Sequence, residues 1–275
     1  MNNHIAIKNF VRMCEDGWNQ GWHERNGGNL SYRMTKTEVL DCIDKFDMSG
    51  DYKPLGVSAP NMADEHFIVT GSGKYMRNVS LCPEENICIV RIDETGSMYK
   101  VVWGLTKGGK PTSELSSHVL NHSVKAELTD GRYRVMYHAH PENVVSLSYV
   151  LPLNDKAFSR ALWQSETECA MVFPEGVGVV GWYLPGGTEL AEASSEKMKS
   201  YDAVVWAHHG LFCSGVDFDS TFGLMHTVEK AAAICVKVKC MGGAKQTITD
   251  DQLIRIAESV GGVLNPDFVD FGKEE

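Results

Sequence analysis

Apolar positions recur along the chain with two different periods. In residues 4–20, Ile7, Phe10, Cys14 and Trp18 fall on one side of a helix, which predicts an amphipathic first helix. Shorter apolar runs predict strands: HFIVT leads into a glycine loop, and ICIVRID and MYKVVWG, joined by ETGS, form a hairpin. These two periods together predict a protein that contains both helices and strands.

The second half of the chain continues this mixture. We expect strands at RVMYHAHP, AMVF, VGVVGWYL and AVVWAHHG. We expect helices at PTSELSSHVLNHSVKAEL, with Ser113 as the N-cap, at ENVVSLSYVL, at about 188–200, and at about 219–241, where a Gly-Gly pair follows. Thr249 and Gln252 have the spacing of a capping box at the start of a last helix.

Composition and charge narrow the possible partners. With 43% hydrophobic and 23% charged residues, the 275-residue chain has the composition of a globular protein, and a single α/β domain over residues 1–275 is the simplest organisation. A formal net charge of −10 argues against nucleic acid, although a local pocket can still bind a small anion. No signal peptide or membrane-length apolar run is evident, and eight scattered cysteines without a CxxC pair predict reduced thiols in a cytoplasmic protein.

Three histidines are the strongest chemical signal. His138 and His140 end a predicted strand, and side chains at positions i and i+2 point to the same face, so two imidazoles would lie side by side. This pair alone is weak, because packed histidines are common. A second apolar strand ends at His208 and His209, and three imidazoles with a fourth position open form the arrangement of a catalytic metal site.

Two further segments add polar groups that could act beside a metal. Glu114, in PTSEL, is expected in the first turn of a helix, where it is either a general base or only a favourable partner of the helix dipole. The segment TGSGKY lacks the first glycine and the Ser/Thr of an ATP-binding loop. Its backbone N–H groups could still bind phosphate, and an ordinary surface turn is the alternative.

The segments ERNGGNLS, FIVTGSGK, PTSEL, HAH and HHG, in this order, resemble the class II aldolase/adducin family over nearly the whole chain. The resemblance implies one zinc ion per subunit, held by His138, His140 and His209. It implies that Glu114 is the central acid/base and that Glu168 reaches a neighbouring subunit's site, although Glu168 could also be a surface residue before a strand. The residues implied to bind phosphate and adjoining substrate oxygens are Asn26, Gly28, Asn29, Ser72, Gly73, Thr112 and Ser113.

The resemblance also implies a fold and an activity. The fold class is α/β of the α+β type, a single domain with a central, mainly antiparallel sheet covered by helices. The activity is metal-dependent aldol cleavage of a sugar phosphate, with the metal as Lewis acid. The expected assembly is a cytoplasmic homotetramer with sites at subunit interfaces and no nucleic-acid or membrane partner. Aldolases for other sugar phosphates, epimerases, dehydratases and a non-catalytic adducin-like scaffold are the alternatives.

Overall fold

One nine-stranded sheet organises the computed structural model, which describes residues 1–269. The C-terminal end of the domain expected over residues 1–275 therefore lies outside the described residues. In chain order the strands are β1 (Asn29–Arg33), β2 (Lys53–Pro54), β3 (His66–Thr70), β4 (Ile87–Ile92), β5 (Met98–Gly104), β6 (Val135–Ala139), β7 (Gly178–Val180), β8 (Ala203–Trp206) and β9 (Gly210–Gly215). Their order across the sheet is β2-β5-β4-β3-β1-β6-β9-β8-β7.

Every neighbouring pair of strands is antiparallel except β7 and β8. This confirms the expected mainly antiparallel sheet. The predicted hairpin is β4 and β5, and the strand that ends in the paired histidines is β6, near the middle of the sheet. Because β6 has a neighbour on each side, its end is held by hydrogen bonds to both β1 and β9.

Helices cover the two faces of the sheet. In chain order they are α1 (Ile5–Asn19), α2 (Lys36–Leu40), α3 (Pro83–Asn86), α4 (Leu115–Leu128), α5 (Glu142–Leu147), α6 (Asp155–Trp163), α7 (Cys169–Val172), α8 (Thr188–Met198), α9 (Phe218–Cys240) and α10 (Asp250–Ser259). Leu30 and Tyr137 belong to the core that includes α1 and α9. Met136 and Phe212 point the other way, into a core shared with α8. Within residues 1–269, no helix combines the length and apolar character that a membrane span requires.

Two local predictions are wrong. The segment AMVF belongs to α7 rather than to a strand, since a short apolar run does not distinguish the two and this one packs against α9 and α10. Ser113 is not an N-cap: α4 begins at Leu115, with Glu114 in the capping position. The preceding residues are held in an extended conformation, because the Thr112 N–H donates to Thr70 O at 2.9 Å and Pro111 bridges to Gly71.

Candidate active site

The candidate site forms where β1, β6 and β9 meet. Asn29 of β1 lies opposite His138 of β6, and the turn between β8 and β9 carries His209. A close approach of backbone makes this possible. A Cβ at Gly210 would lie 2.3 Å from Ala139 O and 3.0 Å from a carbon of the His138 ring. Glycine at the start of β9 therefore allows the two histidine-bearing segments to come together.

Three imidazoles converge at this point. The ring centroids of His138, His140 and His209 lie 4.8 to 5.0 Å apart, and one ligand nitrogen from each lies within 4.8 Å of the others. The Nε2 atoms of His138 and His209 are 3.4 Å apart. The structure thus brings together the three histidines that the sequence predicted as metal ligands.

Hydrogen bonds to the far side of two rings orient them for a metal. The His138 Nδ1–H donates to Leu211 O at 3.1 Å, which leaves Nε2 as a bare acceptor. The Nδ1 of His140 lies 2.7 Å from a Glu24 carboxylate oxygen, and its Nε2 is buried without a partner. A carboxylate or carbonyl behind a ligand histidine is the usual arrangement around protein-bound metals. These residues therefore fit a divalent metal.

Burial keeps His138 and His209 neutral. It lowers the pKa of His138 well below its ordinary value and lowers the pKa of His209 to about 4, with a further contribution from the neighbouring His140. A neutral imidazole offers its lone pair to a metal without first losing a proton. At neutral pH, His138 and His209 are consequently ready to bind.

Glu114 is buried beside the histidines. Its side chain accepts a hydrogen bond from Asn29 Nδ2 at 2.7 Å, and the same oxygen lies 3.9 Å from His138 Nε2. Burial raises the pKa of the Glu114 carboxyl, and the hydrogen bond from Asn29 offsets part of that effect. A carboxyl with a raised pKa holds a proton more readily than an exposed one, which suits a general acid/base.

A small cavity of about 160 Å³ joins these groups to two glycine-bearing turns. One turn, residues 26–28, immediately precedes β1. The other, residues 71–73, follows β3 and lies beside the segment that leads into α4. The residues that line the cavity are Asn26, Gly27, Gly28, Asn29, Gly71, Ser72, Gly73, Thr112, Ser113, Glu114, His138, His140 and His209. All the positions expected to bind phosphate, metal and proton thus meet in one place, with Glu168 as the exception.

Glu168 lies elsewhere. It is exposed at the N-terminus of α7 and does not line the cavity of its own chain. Several groups that support the site were not predicted from the sequence, among them Glu24 behind His140 and the buried Ser31, His118 and His122 near Asn29. Two histidines four residues apart in α4 were a visible signal, because that spacing places both on one face of a helix.

Comparison with known proteins identifies the family. Residues 8–236 match the family model described as "Class II Aldolase and Adducin N-terminal domain". The chain belongs to this family. It is 45% identical over 255 residues to the rhamnulose-1-phosphate aldolase of Pectobacterium atrosepticum, covering 93% of each protein. It is 44% identical over 252 residues to the protein of the same name from Klebsiella pneumoniae, covering 92% of this chain and 91% of that one.

Solved structures agree with this assignment. A sugar-phosphate aldolase from Thermotoga maritima superposes with a TM-score of 0.72 at 25% identity, over 86% of this chain and 96% of that one. An L-fuculose-1-phosphate aldolase from Thermus thermophilus shares the fold, with a TM-score of 0.59 at 21% identity over 87% and 96% of the two chains. The protein is a class II aldolase, a lyase of a metal-dependent family, with its three-histidine cluster in place.

Proposed function

We propose that this enzyme catalyses zinc-dependent cleavage of L-rhamnulose 1-phosphate to dihydroxyacetone phosphate and L-lactaldehyde, as a cytoplasmic step of L-rhamnose breakdown. The observation that carries the proposal is the convergence of three histidines and a buried carboxyl on one cavity. The 3.9 Å distance between a Glu114 carboxylate oxygen and His138 Nε2 supports a role for Glu114 as an acid/base beside the proposed metal ligands. The relatives that match over 93% of the chain support this sugar ester over others.

The chemistry follows from what the chain supplies. A zinc ion held by the Nε2 atoms of His138, His140 and His209 provides, when bound, Lewis-acid stabilisation of the negative charge that develops on the substrate oxygens. A base takes the proton of the C4 hydroxyl, the C4–O bond becomes the aldehyde carbonyl, and the C3–C4 bond breaks, which leaves carbanion character at C3, next to the ketone carbonyl. Glu114 is positioned to give that carbon a proton, and its buried, raised-pKa carboxyl suits the step.

The two glycine-bearing turns are proposed to bind the phosphate and the neighbouring oxygens. Gly28 and Gly73 have positive φ angles of 71°, a conformation that turns successive backbone N–H groups in one direction. A Cβ at Gly28 would lie 2.4 Å from His23 and 2.7 Å from His138 O, so this turn packs closely against the metal-binding strand. The hydroxyls of Ser72, Thr112 and Ser113 and the amides of Asn26 and Asn29 complete the proposed cradle.

A homotetramer with shared sites is part of the proposal. Glu168 is exposed, as a group that serves a neighbouring subunit must be, and several large apolar side chains are exposed as well, including Tyr149, Trp182 and Leu184. Two inactive variants test this arrangement, His138→Ala and Glu168→Gln. Mixed tetramers of the two should regain activity, because some sites then combine an intact metal cluster with an intact Glu168. No regain, in tetramers shown to be mixed, would remove Glu168 from the site.

The substrate assignment is tested by measuring release of dihydroxyacetone phosphate from L-rhamnulose 1-phosphate and from L-fuculose 1-phosphate. We expect faster cleavage of the rhamnulose ester. Preference for the fuculose ester would change the substrate and keep the aldolase chemistry. Cleavage of neither by zinc-loaded protein would contradict the proposal and direct the assay to pentulose-phosphate epimerisation or methylthioribulose-phosphate dehydration.

A further inference from the structure

A chain of buried polar side chains extends from Glu114 away from the cavity. Asn29 Nδ2 lies 2.7 Å from Glu114, and Asn29 Oδ1 is hydrogen-bonded to His118 Nε2. The other nitrogen of His118 lies 2.6 Å from Ser31 Oγ, and the same hydroxyl lies 2.9 Å from His122 Nε2. The chain of hydrogen bonds thus contains Glu114, Asn29, His118, Ser31 and His122. Glu114 and Asn29 already have proposed roles in the site, whereas His118, Ser31 and His122 do not line the cavity.

These residues lie in a line because two residues along a strand and four residues along a helix cover nearly the same distance. Asn29 and Ser31 are two residues apart on β1 and point to the same face of the sheet, about 7 Å apart along the strand. On the helix side, the spacing is four residues: Glu114 caps α4, and His118 and His122 follow on the same face. Successive members of this set are about 6 Å apart along the helix axis. The strand and the helix therefore contribute alternate members of the chain.

The direction of the hydrogen bonds is fixed from the Glu114 end. An ionised carboxylate can only accept, so the Asn29 nitrogen must donate to it and the Asn29 oxygen must face His118. His118 then donates from Nε2, its Nδ1 accepts from the Ser31 hydroxyl, and the Ser31 oxygen accepts from His122 Nε2–H. The chain ends at His122 Nδ1, which is buried without a partner. In this direction that atom is a bare acceptor, which costs less to bury than an unpaired N–H.

The surroundings make the direction matter. Ser31, His118 and His122 are fully buried, with the ring of His118 against Phe212 and that of His122 against Phe67. In such surroundings an unpaired polar group is costly, so each member depends on its neighbour. Without a donor at His118, the Asn29 oxygen would be buried without a partner, and the orientation of the Asn29 amide would depend on the Glu114 carboxylate alone.

We propose that His118 is a positioning residue for proton transfer: its Nε2–H holds the Asn29 amide with the nitrogen toward Glu114, and Ser31 holds His118 in the tautomer that does so. The inference rests on the proposed role of Glu114. It assigns no contact between His118 and substrate. The effect should appear in the proton-transfer step, with the affinity for substrate and metal changed less.

The experiment compares two matched pairs of variants. His118→Leu removes the donor, while His118→Gln keeps an amide N–H at a similar distance from the backbone. Ser31→Ala removes the hydroxyl from the chain, while Ser214→Ala removes a buried strand hydroxyl from the same row of the sheet, two strands away, where it bonds Asp202 O. For each variant we would measure kcat, KM, bound zinc, the melting temperature and the exchange of carbon-bound hydrogen of dihydroxyacetone phosphate with solvent deuterium.

The proposal predicts that His118→Leu lowers kcat and the exchange rate on the order of 10- to 100-fold with zinc retained, and that His118→Gln restores most of the rate. Ser31→Ala should lower both rates more than Ser214→Ala does, even if the two melt at similar temperatures. Equal rates for Ser31→Ala and Ser214→Ala would overturn the proposal. These two variants also provide the test if His118→Leu does not fold. A wild-type enzyme without cleavage or exchange would instead refute the proposed function itself.

Discussion

Two groups of histidines lie on the same face of the sheet and differ in what their nitrogens face. In the open cluster (His138, His140 and His209), the Nδ1 atoms of His138 and His140 are hydrogen-bonded to protein atoms. One ligand nitrogen from each of the three rings lies close to those of the other two. In the closed pair (His118 and His122), a serine hydroxyl joins the rings and an asparagine completes the line. The open cluster has several converging nitrogens left for a ligand, whereas in the closed pair three nitrogens are bonded within the protein and the fourth, His122 Nδ1, is buried alone.

Burial does not separate the two groups. It lowers the pKa of His209 to about 4 and that of His118 to about 3, so both are neutral at neutral pH. Lowered basicity therefore indicates burial rather than a role. The number of nitrogens without a protein partner is the better guide, because a metal needs a free lone pair from each ligand. The difference suggests experiments on each group.

The largest effect should come from removing a member of the open cluster. His209→Ala should lose the metal and reduce activity by about 10³-fold or more, because only two imidazoles remain for the ion. Zinc analysis, the rate of cleavage and circular dichroism would measure the three consequences. The neighbouring residue gives the control: His208→Asn, chosen because His208 has a φ of 61° that asparagine tolerates, should keep metal and activity. Loss of zinc in both variants would undermine the ligand assignment.

Replacing the acid/base should separate metal binding from chemistry. Glu114→Gln retains the shape and can still bond Asn29 through its oxygen, but it cannot carry the proton. We expect kcat to fall about 10²- to 10⁴-fold while one zinc per chain remains bound. Steady-state kinetics with metal analysis checks this. An unchanged kcat would mean that another group gives the proton to C3.

Weakening the support of the open cluster should have a smaller effect. Glu24→Ala removes the carboxylate that orients His140, and we expect zinc affinity to fall about 10-fold or more. A competition titration with a chromophoric chelator would measure it. Glu15→Ala removes the same charge from an exposed position on α1 and should leave the affinity unchanged. If both variants bind zinc alike, the Glu24 contact has no role in orienting the ring.

The smallest effect tests whether a perturbed carboxyl is functional by itself. Burial, with the charge of Asp202 close by, raises the pKa of Glu175 to about 7, and Glu175 does not line the cavity. A carboxyl whose pKa is raised in the folded state contributes stability below its unfolded value of 4.5 and loses it as pH rises through about 7.

Glu175→Gln stays neutral at every pH and should therefore melt higher than wild type by about 3 °C at pH 8, with a smaller difference at pH 4. Its kcat should be unchanged. Melting curves at the two pH values and one kinetic assay test both statements. A fall in kcat at equal zinc content would show that Glu175 takes part in catalysis, and would contradict the view that a shifted pKa indicates only burial.

The sequence predicted the open cluster better than the closed pair for a physical reason. Ligand residues that end strands leave a visible pattern, and HAH and HHG follow apolar runs. The closed pair depends on Ser31, which lies 87 residues from His118, and no local pattern links positions so far apart. The contact of Glu24 with His140 could not be predicted for the same reason, since the two residues are 116 positions apart in the sequence.

The fold was predicted where periods were clear. The ends of α1 and α9 and the capping box at Thr249 agree with the structure. The central strand β1 was not predicted, because NLSYR follows two glycines and contains few apolar residues. Its polar members Asn29 and Ser31 are buried against α4 rather than exposed, and only tertiary contacts make that possible.

The proposed aldol cleavage depends above all on a metal held by the open cluster. The most direct measurement removes metal with a chelator and then follows release of dihydroxyacetone phosphate from L-rhamnulose 1-phosphate as zinc is added back. We expect activity to disappear with the metal and to return in proportion to added zinc, with saturation at one equivalent per chain. Undiminished cleavage by protein shown to be metal-free would contradict it.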